Sequence, residues 1–447
     1  MKDAHVASNV VKTLTRFFAC ALLLLIGACA TQWHSAYSTD VPPGIDLGNE
    51  INLLDAATEK VVAHMTRDGR VHLIAITTGG DALHVVVSEQ GVEQKKKIDT
   101  IRHGYYENLA IADDALGRLH LAIKDKYWVL ENDAWRLVGE NRCALLARAG
   151  DSVACATEAS GKELGTAAQW GIQGFGGFGV GLIIPYRIRP AKVMLGQASK
   201  DGWSYRKVLD YHLPYFVNLD NGGTAVLSSD ASGRLHLFFQ AHEGNSFYYR
   251  YAMLALAEDA QPDIEWRQSD GQTIKLINSE SEAVSPGGNW FIPASLSLPF
   301  AVDPQTGRAL FFARMSGGFA RWVDAGVEIQ GNVLSEPAPF PIHGSRPMRL
   351  SPAGDDRFHA LLAVDHSLIY AIYGAGKWSA VTRVGEFGTT GLFLIGNASI
   401  QLASDGRRQA LAIWPKREGV LAGRWIRLSK EDQGFRDSQT EGNRTAN

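Results

Sequence analysis

Excess charge of one sign, cysteine and helical periodicity are all scarce in this chain of 447 residues. Lys and Arg number 44 against 47 Asp and Glu, and the net charge of −3 argues against the strongly basic field by which proteins hold nucleic acid. Only two of the four cysteines lie beyond residue 30, and no long uninterrupted apolar run occurs there. Apolar residues seldom recur at helical spacing, and 46 glycines with 9% aromatic residues favour turns and sheets. The sequence therefore predicts an all-β protein.

The first 28 residues have the composition of a secretory signal. Lys2, Lys12 and Arg16 precede an apolar run over residues 17–26. This run is too short to span a bilayer as a helix, but it suits the apolar region of a signal peptide. We therefore expect residues 1–28 to be removed on export.

The sequence Ile26-Gly-Ala-Cys29 resembles the lipobox of bacterial lipoproteins, which has an aliphatic residue, two small residues and a cysteine. The resemblance implies cleavage before Cys29, which would carry a thioether-linked diacylglycerol and an amide-linked acyl chain. Because Ala30 follows and not aspartate, it also implies sorting to the outer membrane. Residues 29–44 would then be a lipidated tether that lifts the folded part off the lipid. An ordinary signal peptide, cut elsewhere, is the alternative.

A short phrase recurs along the rest of the chain: an acidic residue, a turn, an arginine and an apolar strand that often carries histidine. The acidic side chain bonds nearby backbone and glycine tolerates positive φ, so each copy predicts a tight turn between two strands. Such repetition at a blade-sized spacing indicates a quasi-symmetric array. The six clear copies are Asp68-Gly-Arg-Val-His72, Asp114-Ala-Leu-Gly-Arg-Leu-His120, Asp230-Ala-Ser-Gly-Arg-Leu-His236, Asp303-Pro-Gln-Thr-Gly-Arg-Ala-Leu310, Asp355-Asp-Arg-Phe-His359 and Asp405-Gly-Arg-Arg-Gln409, with a degenerate seventh at 149–153.

One unit shows the predicted organisation clearly. Four strand patterns separated by turns occupy residues 108–112, 118–123, 127–130 and 134–138. Together they form a meander of about forty residues, the size of one propeller blade. We therefore predict a single β-propeller over residues 45–428 with four-stranded blades. Seven blades fit best, and six or eight remain open because the third unit is irregular.

The seventh unit has only three strand patterns, and a polar segment follows them. The short strand pattern at residues 50–54 is expected to supply the fourth strand and close the ring, which removes two exposed sheet edges. A pair of β-sandwiches is the competing architecture, but a single motif repeats throughout and no linker-like change of composition divides the chain. The polar residues 429–447 are expected to be disordered.

Four histidines occupy equivalent positions in the repeated phrase: His72, His120, His236 and His359. They predict either a metal site or a buried hydrogen-bonding residue repeated by symmetry. Equivalent positions of a ring lie far apart, so they cannot converge on one ion at about 2 Å. We expect the second reading, with no metal and no cofactor.

The phrase also resembles the Asp-box hairpins of sialidase-type and related carbohydrate-active bacterial propellers. The resemblance covers the hairpins alone, because most copies lack the serine before the aspartate and the aromatic residue after the glycine. In that family the box is structural and lies away from the active site. Tyr186-Arg-Ile-Arg-Pro190 is faintly similar to the sialidase arginine motif, but it falls in the third unit. No nucleophile or arginine triad aligns, so no catalytic residue is assigned.

The long connections of the predicted blades all fall on one face of the ring. They occupy residues 158–189, 210–222, 278–293, 331–345 and 384–397. Long loops on a rigid scaffold usually carry binding sites. The candidate ligand-binding or partner-binding residues on this face are Trp170, Phe175, Phe178, Arg187, Arg189, Tyr211, His212, Trp290, His343 and Arg346.

The connection at 158–189 is a glycine-rich apolar insertion, and it lacks the lysine and the strand-to-helix setting of a phosphate-binding loop. It reads as a flexible loop that docks on a partner, a glycan or lipid, or that inserts into the membrane. A loop that plugs the central channel is the alternative. Cys143 and Cys155 flank the turn at Gly150 and Asp151, and export would permit a disulfide between them. Two buried free thiols are the other reading.

These features favour a non-catalytic binding or scaffolding lipoprotein of the bacterial cell envelope. Its partners would be the membrane, through the lipid, and an envelope protein or a polysaccharide, and its body would be monomeric. The alternative is a glycan-active hydrolase or lyase of the propeller type, which would need two carboxyl groups about 5–10 Å apart. The candidate carboxylates are Asp220, Glu280, Glu282 and Glu386.

Overall fold

The described residues of the computed structural model contain thirty β-strands and no helix. All the strands belong to one unit, Val41–Asn447. The described part of the chain also holds no apolar helix long enough to cross a bilayer. The structure describes residues 41–101, 108–140, 143–160, 165–175, 178–199, 202–214, 225–243, 246–254, 300–316, 322–330, 333–335, 338–340, 342, 346–364, 366–388, 400–416 and 419–429.

The strands form seven four-stranded antiparallel blades, of which blade 4 is described for three strands. The first strand is β1 (Ile45–Asp55); blade 1 follows with β2 (Thr58–Met65), β3 (Val71–Thr77), β4 (Asp81–Ser88) and β5 (Gly91–Thr100). Blade 2 holds β6 (Leu109–Asp113), β7 (Leu119–Ile123), β8 (Lys126–Glu131) and β9 (Ala134–Glu140). Blade 3 contains β10 (Leu145–Ala149), β11 (Ser152–Ser160), β12 (Gly165–Phe175), β13 (Phe178–Ser199) and β14 (Gly202–Pro214).

The remaining blades follow in chain order. Blade 4 comprises β15 (Ala225–Ser229), β16 (Leu235–Glu243) and β17 (Ser246–Leu254). Blade 5 comprises β18 (Phe300–Val302), β19 (Ala309–Ser316), β20 (Trp322–Gln330), β21 (Val333–Leu334) and β22 (Ala338–Pro339). Blade 6 comprises β23 (Arg346–Gly354), β24 (Arg357–Val364), β25 (Ser367–Gly374), β26 (Lys377–Trp378) and β27 (Thr382–Glu386). Blade 7 comprises β28 (Gln401–Ser404), β29 (Gln409–Pro415) and β30 (Val420–Leu428), with β1 as its fourth strand.

The repeated phrase folds into the tight turn that its residues favour. In blade 2 the backbone N–H groups of Leu116 and Arg118 each donate to Asp114 Oδ1 at 2.9 Å. Gly117 lies between them at a φ of 77°, a left-handed conformation that glycine adopts without strain. Asp230 accepts the same bond from the Arg234 N–H at 3.1 Å. The acidic residue therefore sets the turn between the first and second strands, as predicted.

The blades close into a ring through their first strands. Each first strand contacts the first strand of the next blade along the series β2, β6, β10, β15, β18, β23 and β28, and β28 contacts β2. A pair of separate sandwiches would break this series, so the structure confirms the single propeller with seven blades. Its apolar core lies between neighbouring blades: Leu73 of blade 1, for example, belongs to the same buried cluster as Leu411 of blade 7.

An N-terminal strand closes the ring, which confirms the prediction. β1 pairs antiparallel with β30 from Ile45 opposite Leu428 to Asp55 opposite Val420. Its Leu53 is 3% exposed, and a side chain at Gly423 would collide with it because the added Cβ would come within 2.8 Å of Leu53 Cδ1. The predicted residues 50–54 are the second half of this longer strand.

Antiparallel pairing separates two faces of the ring. The short-turn face carries the turns from first to second and from third to fourth strands, including the turn phrases. The long-connection face carries the turns from second to third strands and the connections between blades. Ile45 is paired with the end of β30, so the chain enters the body on the short-turn face.

Candidate functional site

Blade 3 departs from the other blades by extending far beyond the long-connection face. β11 pairs with β13 only as far as Ser160 opposite Ala191. Past that point β12 pairs with β13 from Gly165 opposite Ile188 to Phe175 opposite Phe178. We call β12 together with residues 178–188 of β13 the hairpin arm. Its eleven residue pairs extend over about 36 Å at the usual rise per residue.

The arm corrects the expectation of a flexible loop at 158–189. Residues 158–160 still belong to β11, and residues 165–175 and 178–189 are paired strands. The alternation of glycine with apolar residues hid these strands, since glycine supplies no side chain to mark a face. Only two residues of the sequence, Gly176 and Gly177, separate the paired Phe175 and Phe178.

The register places apolar residues on both faces of the arm. Trp170, Ile172, Ile183 and Pro185 share one face with Arg187. Phe175, Phe178, Val180, Leu182, Ile184 and Tyr186 share the other face with Gln169 and Gln173. No Asp, Glu, Lys, Arg or His occurs between Gly165 and Tyr186. Arg187 is thus the first charged residue on the way from the tip to the blade.

The polar candidates predicted at this face meet at the root of the arm. β14 continues alongside β13, with Tyr211 opposite Ala191, His212 opposite Pro190, and Arg189 opposite Leu213. His212 also pairs with His242 of β16, which joins the sheets of blades 3 and 4. The structure therefore brings Arg189, Tyr211 and His212 to adjacent positions on two neighbouring strands.

A disulfide and a tight contact hold the strands from which the arm emerges. Cys143 and Cys155 are joined by a disulfide with their Cα atoms 5.4 Å apart, and both are fully buried. Cys155 of β11 lies opposite Gly196 of β13. A Cβ on Gly196 would come within 2.7 Å of the Tyr205 ring and 3.0 Å of Cys155 Sγ. The packing inside blade 3 thus requires glycine there and fixes β11, β13 and β14 together.

The other predicted site residues do not gather near the arm among the described residues. Arg346 is the first residue of β23, at the long-connection end of blade 6. Cys29, Trp290 and His343 lie outside the described residues, as do the carboxylates Asp220, Glu280 and Glu282. Glu386, at the end of β27, is ion-paired with Arg383.

The four repeated histidines lie inside the blades, near the turn phrases. In blade 2, Asp114 Oδ2 lies 3.1 Å from His120 Nε2, and the Tyr127 hydroxyl lies 2.5 Å from His120 Nδ1. Since a carboxylate only accepts, Nε2–H donates to Asp114 and Nδ1 accepts from Tyr127. Burial lowers the pKa of His120, and the nearby Asp114 offsets part of that effect. His120 is therefore a neutral structural link between the second and third strands.

Blade 4 repeats this arrangement almost atom for atom. His236 Nε2 lies 3.2 Å from Asp230 Oδ2, and His236 Nδ1 lies 2.6 Å from the Tyr251 hydroxyl. Burial tends to raise the pKa of Asp230, but hydrogen bonds from Ser232, His236 and Arg234 lower it to about 2. The buried aspartate is therefore ionised and fully engaged in the network.

Blades 1 and 6 vary the arrangement because their turns differ. In blade 6 the two-residue turn Asp355–Asp356 has positive φ at both residues, and His359 bonds only Tyr370, at 2.5 Å. In blade 1, His72 Nδ1 lies 2.9 Å from His84 Nε2. Burial lowers the pKa of His72 to about 3, that of His84 to about 4 and that of His359 to about 3. The hydrogen-bonding interpretation of the histidines is thus the one that the geometry supports.

The tyrosines and the second imidazole of blade 1 are features that sequence reasoning missed. They lie on the third strand, about ten residues or more from most of their partners, and three of them contact an aromatic residue of the next blade. His84 lies edge-on to Trp135 at 5.3 Å, Tyr127 edge-on to Trp203 at 5.0 Å, and Tyr251 lies 6.1 Å from Phe300. The recurrence of an aromatic residue or histidine on each third strand was the available signal.

Two cavities of the described residues open on the short-turn face. One, of about 620 Å³, lies between blades 1 and 2, where Arg70 and Arg118 are bonded to Asp68 and Asp114. The other, of about 450 Å³, lies between blades 6 and 7 and includes Arg407, Arg408 and Arg427. Arg427 is paired with Asp46 and Glu89, and Arg408 with Asp355. Most of these arginines are paired with carboxylates. The pairs therefore stabilise the turns, and neither cavity presents an evident ligand site.

An inward-lying ion cluster links the first strands of three blades at the same end of the ring. Asp113 lies 3.3 Å from His64 and 3.6 Å from Arg148. Burial tends to raise the pKa of Asp113, but His64 and Arg148 lower it overall. Across the described residues, no group of three or more His, Cys, Asp or Glu side chains could hold a metal ion. Neither the cavities nor this cluster presents an evident ligand site, and the hairpin arm is the remaining candidate among the described residues.

Neither a protein-family model nor a curated protein matches the sequence. Among solved structures, polysaccharide lyase Uly1 has a TM-score of 0.45 and 10% identity, covering 86% of this chain and 100% of that one. An intramolecular trans-sialidase from Ruminococcus gnavus has a TM-score of 0.36 and 9% identity, covering 84% and 95%. A fucose-specific lectin from Aleuria aurantia has a TM-score of 0.35 and 12% identity, covering 76% and 100%.

Proposed function

We propose that this protein is a non-catalytic binding or scaffolding lipoprotein of the bacterial cell envelope. Cys29 would hold it on the outer membrane, and the long-connection face would bind a partner protein or a polysaccharide. The lipid-anchored tether is proposed from the lipobox-like sequence, and the binding face from the arm.

One observation carries the proposal: the chain enters the body on one face, and the arm leaves from the other. Ile45 lies at the short-turn end of blade 7, whereas β12 and β13 extend past the long-connection end of blade 3. A tether attached at residue 44 would thus pull on the short-turn face. The long-connection face would then be turned away from the anchoring membrane and remain accessible to another component.

The scaffold behind the arm suits binding because it is rigid. The disulfide fastens β11 to Cys143, just before β10, and the close contact at Gly196 packs β13 against Tyr205 of β14 and Cys155 of β11. The join between His212 and His242 adds a connection to blade 4. The strands at the root of the arm, fixed in this way, lose little conformational entropy when a partner binds, so more of the contact energy there appears as affinity.

Affinity capture from detergent-solubilised envelopes tests the binding role. Replacing residues 168–185 by Asn-Gly joins the paired Ala167 and Tyr186 through a favoured two-residue turn and shortens the arm. The intact protein is expected to retain one envelope component, and the shortened variant at least about tenfold less of it, equivalent to about 1.4 kcal/mol. Protease treatment of the eluate separates a protein partner from a polysaccharide.

A variant on the opposite face is the matched control. Arg407 is exposed in the cavity between blades 6 and 7, so Arg407→Ala is expected to capture the component as the intact protein does. If Arg407→Ala loses the component while the shortened arm keeps it, binding belongs to the short-turn face and the proposal is wrong. Cys29→Ser tests the anchor separately, because it is expected to abolish labelling by a fatty-acid probe and to release the protein from membranes.

A further inference from the structure

We infer that the hairpin arm binds an extended, uncharged and apolar segment of another polypeptide, which adds as a strand along the free edge of β12. This inference rests on the proposed binding role of the long-connection face, and it specifies both the partner chemistry and the mode of contact.

One edge of β12 is unpaired among the described strands. β12 pairs with β13 along one side only, and no other described strand pairs with it. In an extended strand, alternate backbone N–H and C=O groups project from each side. About half of the backbone polar groups of β12 are therefore available to a further strand, and they follow one another at regular spacing from residue 165 to residue 175.

The edge of β12 differs in charge from other edge strands of the same molecule. Soluble proteins protect sheet edges with charged residues, particularly lysine, because a neutral edge invites another strand. The outermost strands of blades 1, 2 and 7 follow this rule. Their charged residues include Lys95, Lys96 and Lys97 in β5, Arg136 and Glu140 in β9, and Asp46 and Glu50 in β1. β12 carries no charged residue and no proline, so it lacks the charged residues that protect the edges of β1, β5 and β9.

The backbone groups of the free edge favour a polypeptide over lipid as the occupant. Apolar residues on both faces would suit either one. A free strand edge inside hydrocarbon would leave its N–H and C=O groups without partners, at a cost of several kcal/mol each. An added strand satisfies those groups and covers part of the apolar surface at the same time. Because the arm is long and its edge unpaired among the described residues, the polypeptide occupant is favoured.

The partner strand should share the character of the arm. A strand placed beside β12 sets its residues opposite those of β12, and like or unpaired charges there would be unfavourable. The register offers Gly171 and Gly174 on opposite faces, separated by Ile172 and Gln173. Glycine leaves space for large side chains on the neighbouring strand. We therefore expect a partner segment with bulky apolar residues and no charge over about eight to ten residues.

Site-specific photo-crosslinking tests the inference in the full-length protein, expressed in the bacterium that makes it. A photoreactive amino acid replaces Gln169, Gly171 or Gln173 one at a time, and the linked partner residue is identified by mass spectrometry. These positions advance by two along β12. Strand addition predicts that the linked residues advance by about two along one partner segment, in a constant direction.

The possible results separate the inference from the proposed function. Scattered partner sites, links to lipid alone, or links to a second copy of this chain would each overturn strand addition. So would the absence of links from a protein that still captures its component. Failure of the intact protein to capture any component would instead overturn the proposed function.

A pair of lysine variants supplies the quantitative readout. Ile172→Lys gives β12 the kind of charge that β5 already carries, and it is expected to reduce capture at least about tenfold. Leu137→Lys is the matched control, since Leu137 is 48% exposed on the already charged outer strand β9. Its capture is expected to be unchanged. Equal capture by both variants would contradict the inference, and circular dichroism would verify that both remain folded.

Discussion

The turn phrases and the hairpin arm use opposite chemistry in the same ring. At the short-turn face, charged residues recur from blade to blade and bond one another: Asp230 alone accepts from Ser232, Arg234 and His236. On the arm, no charged residue occurs from Gly165 to Tyr186, and no other blade has a counterpart among the described residues. The repeated turn phrases stabilise the blades, whereas the hairpin arm, which is not repeated among the described residues, is the candidate binding element.

The comparison implies that the two regions should respond differently to the same kinds of change. Substitutions in the turn networks or in the closing strand β1 should change the free energy of unfolding. Partner binding should be unchanged as long as the protein remains folded. Substitutions in the arm should reduce partner binding and leave the free energy of unfolding nearly unchanged.

Removing the closing strand is expected to have the largest effect. A chain that starts at residue 57 lacks β1, which leaves the edge of β30 unpaired and removes the buried Leu53 and Leu54. An open ring loses one strand of blade 7 and exposes apolar surface, so we expect aggregation or loss of cooperative unfolding. Size-exclusion chromatography and thermal unfolding would measure this. A chain that starts at residue 41 is the control, and a folded monomer from both would show that β1 is dispensable.

Acidification is expected to cost several kcal/mol. Burial holds the pKa of His72 near 3, that of His84 near 4 and that of His359 near 3, against 6.5 for an unperturbed histidine. The unfolded chain therefore binds more protons below pH 6.5. Stability should be complete above that pH and should fall as the pH drops towards 4, by up to about 1.4 kcal/mol per pH unit for each histidine.

Urea unfolding between pH 7.5 and pH 4.5 measures this dependence. The lowered pKa of Asp230, about 2 against 3.8, makes a contribution that is lost only at lower pH. The double variant His72→Gln with His84→Gln should have a shallower slope than the intact protein. A stability that does not change across this range would show that the histidines are not held neutral in the fold.

Loss of the disulfide is expected to cost about 3 kcal/mol. Cys143 and Cys155 are 12 residues apart in sequence, and cross-links that close loops of this size restrict the unfolded chain by about that amount. Unfolding with and without dithiothreitol would show the difference, and the double variant Cys143→Ala with Cys155→Ala should match the reduced protein. Equal stability of all three samples would indicate that the bond does not form. The expected fold is retained, because the ring is closed elsewhere.

A single hydroxyl of the turn network should matter less. Tyr251→Phe removes the donor to His236 Nδ1 inside blade 4, where His236 is fully buried. An unsatisfied buried acceptor costs about 1–3 kcal/mol. Leu116→Ala is the control, since Leu116 is 77% exposed in a turn and should change stability by less than about 0.5 kcal/mol. If both variants unfold alike, the histidine–tyrosine bond has no measurable role in stability.

The blades could be predicted from the sequence because their information is local. In blade 2, the predicted strands at 108–112 and 134–138 correspond to Leu109–Asp113 and Ala134–Glu140. The acidic residue, the glycine and the apolar strand lie within a few residues of one another. The equivalence of the six phrases was only approximate, because the turn length decides whether the aspartate reaches the histidine, as it does in blades 2 and 4 but not in blade 6.

The arm and the tyrosine partners of the histidines could not be predicted, because they depend on contacts between residues that are distant in sequence. Trp170 and Ile183 become neighbours only through pairing of two glycine-rich segments, in which the usual alternation of polar and apolar residues is missing. Tyr251 reaches His236 from the neighbouring strand, and only the register of the sheet brings them together. Local sequence patterns specify turns and strands, whereas these contacts depend on which strands pair and how.

Shortening the arm should have the smallest effect on stability, and it tests the comparison most directly. Its pairs lie beyond the point where β11 leaves β13, and an isolated two-stranded hairpin is at best marginally stable in water. Replacing residues 168–185 by Asn-Gly should therefore change the free energy of unfolding by no more than about 0.5 kcal/mol, while capture of the partner falls. Chemical denaturation of this variant beside the intact protein measures the change. A loss of several kcal/mol would instead mean that the arm packs within the ring, as a plug of the central channel would, and the division between a stable repeated body and a separate binding element would not hold.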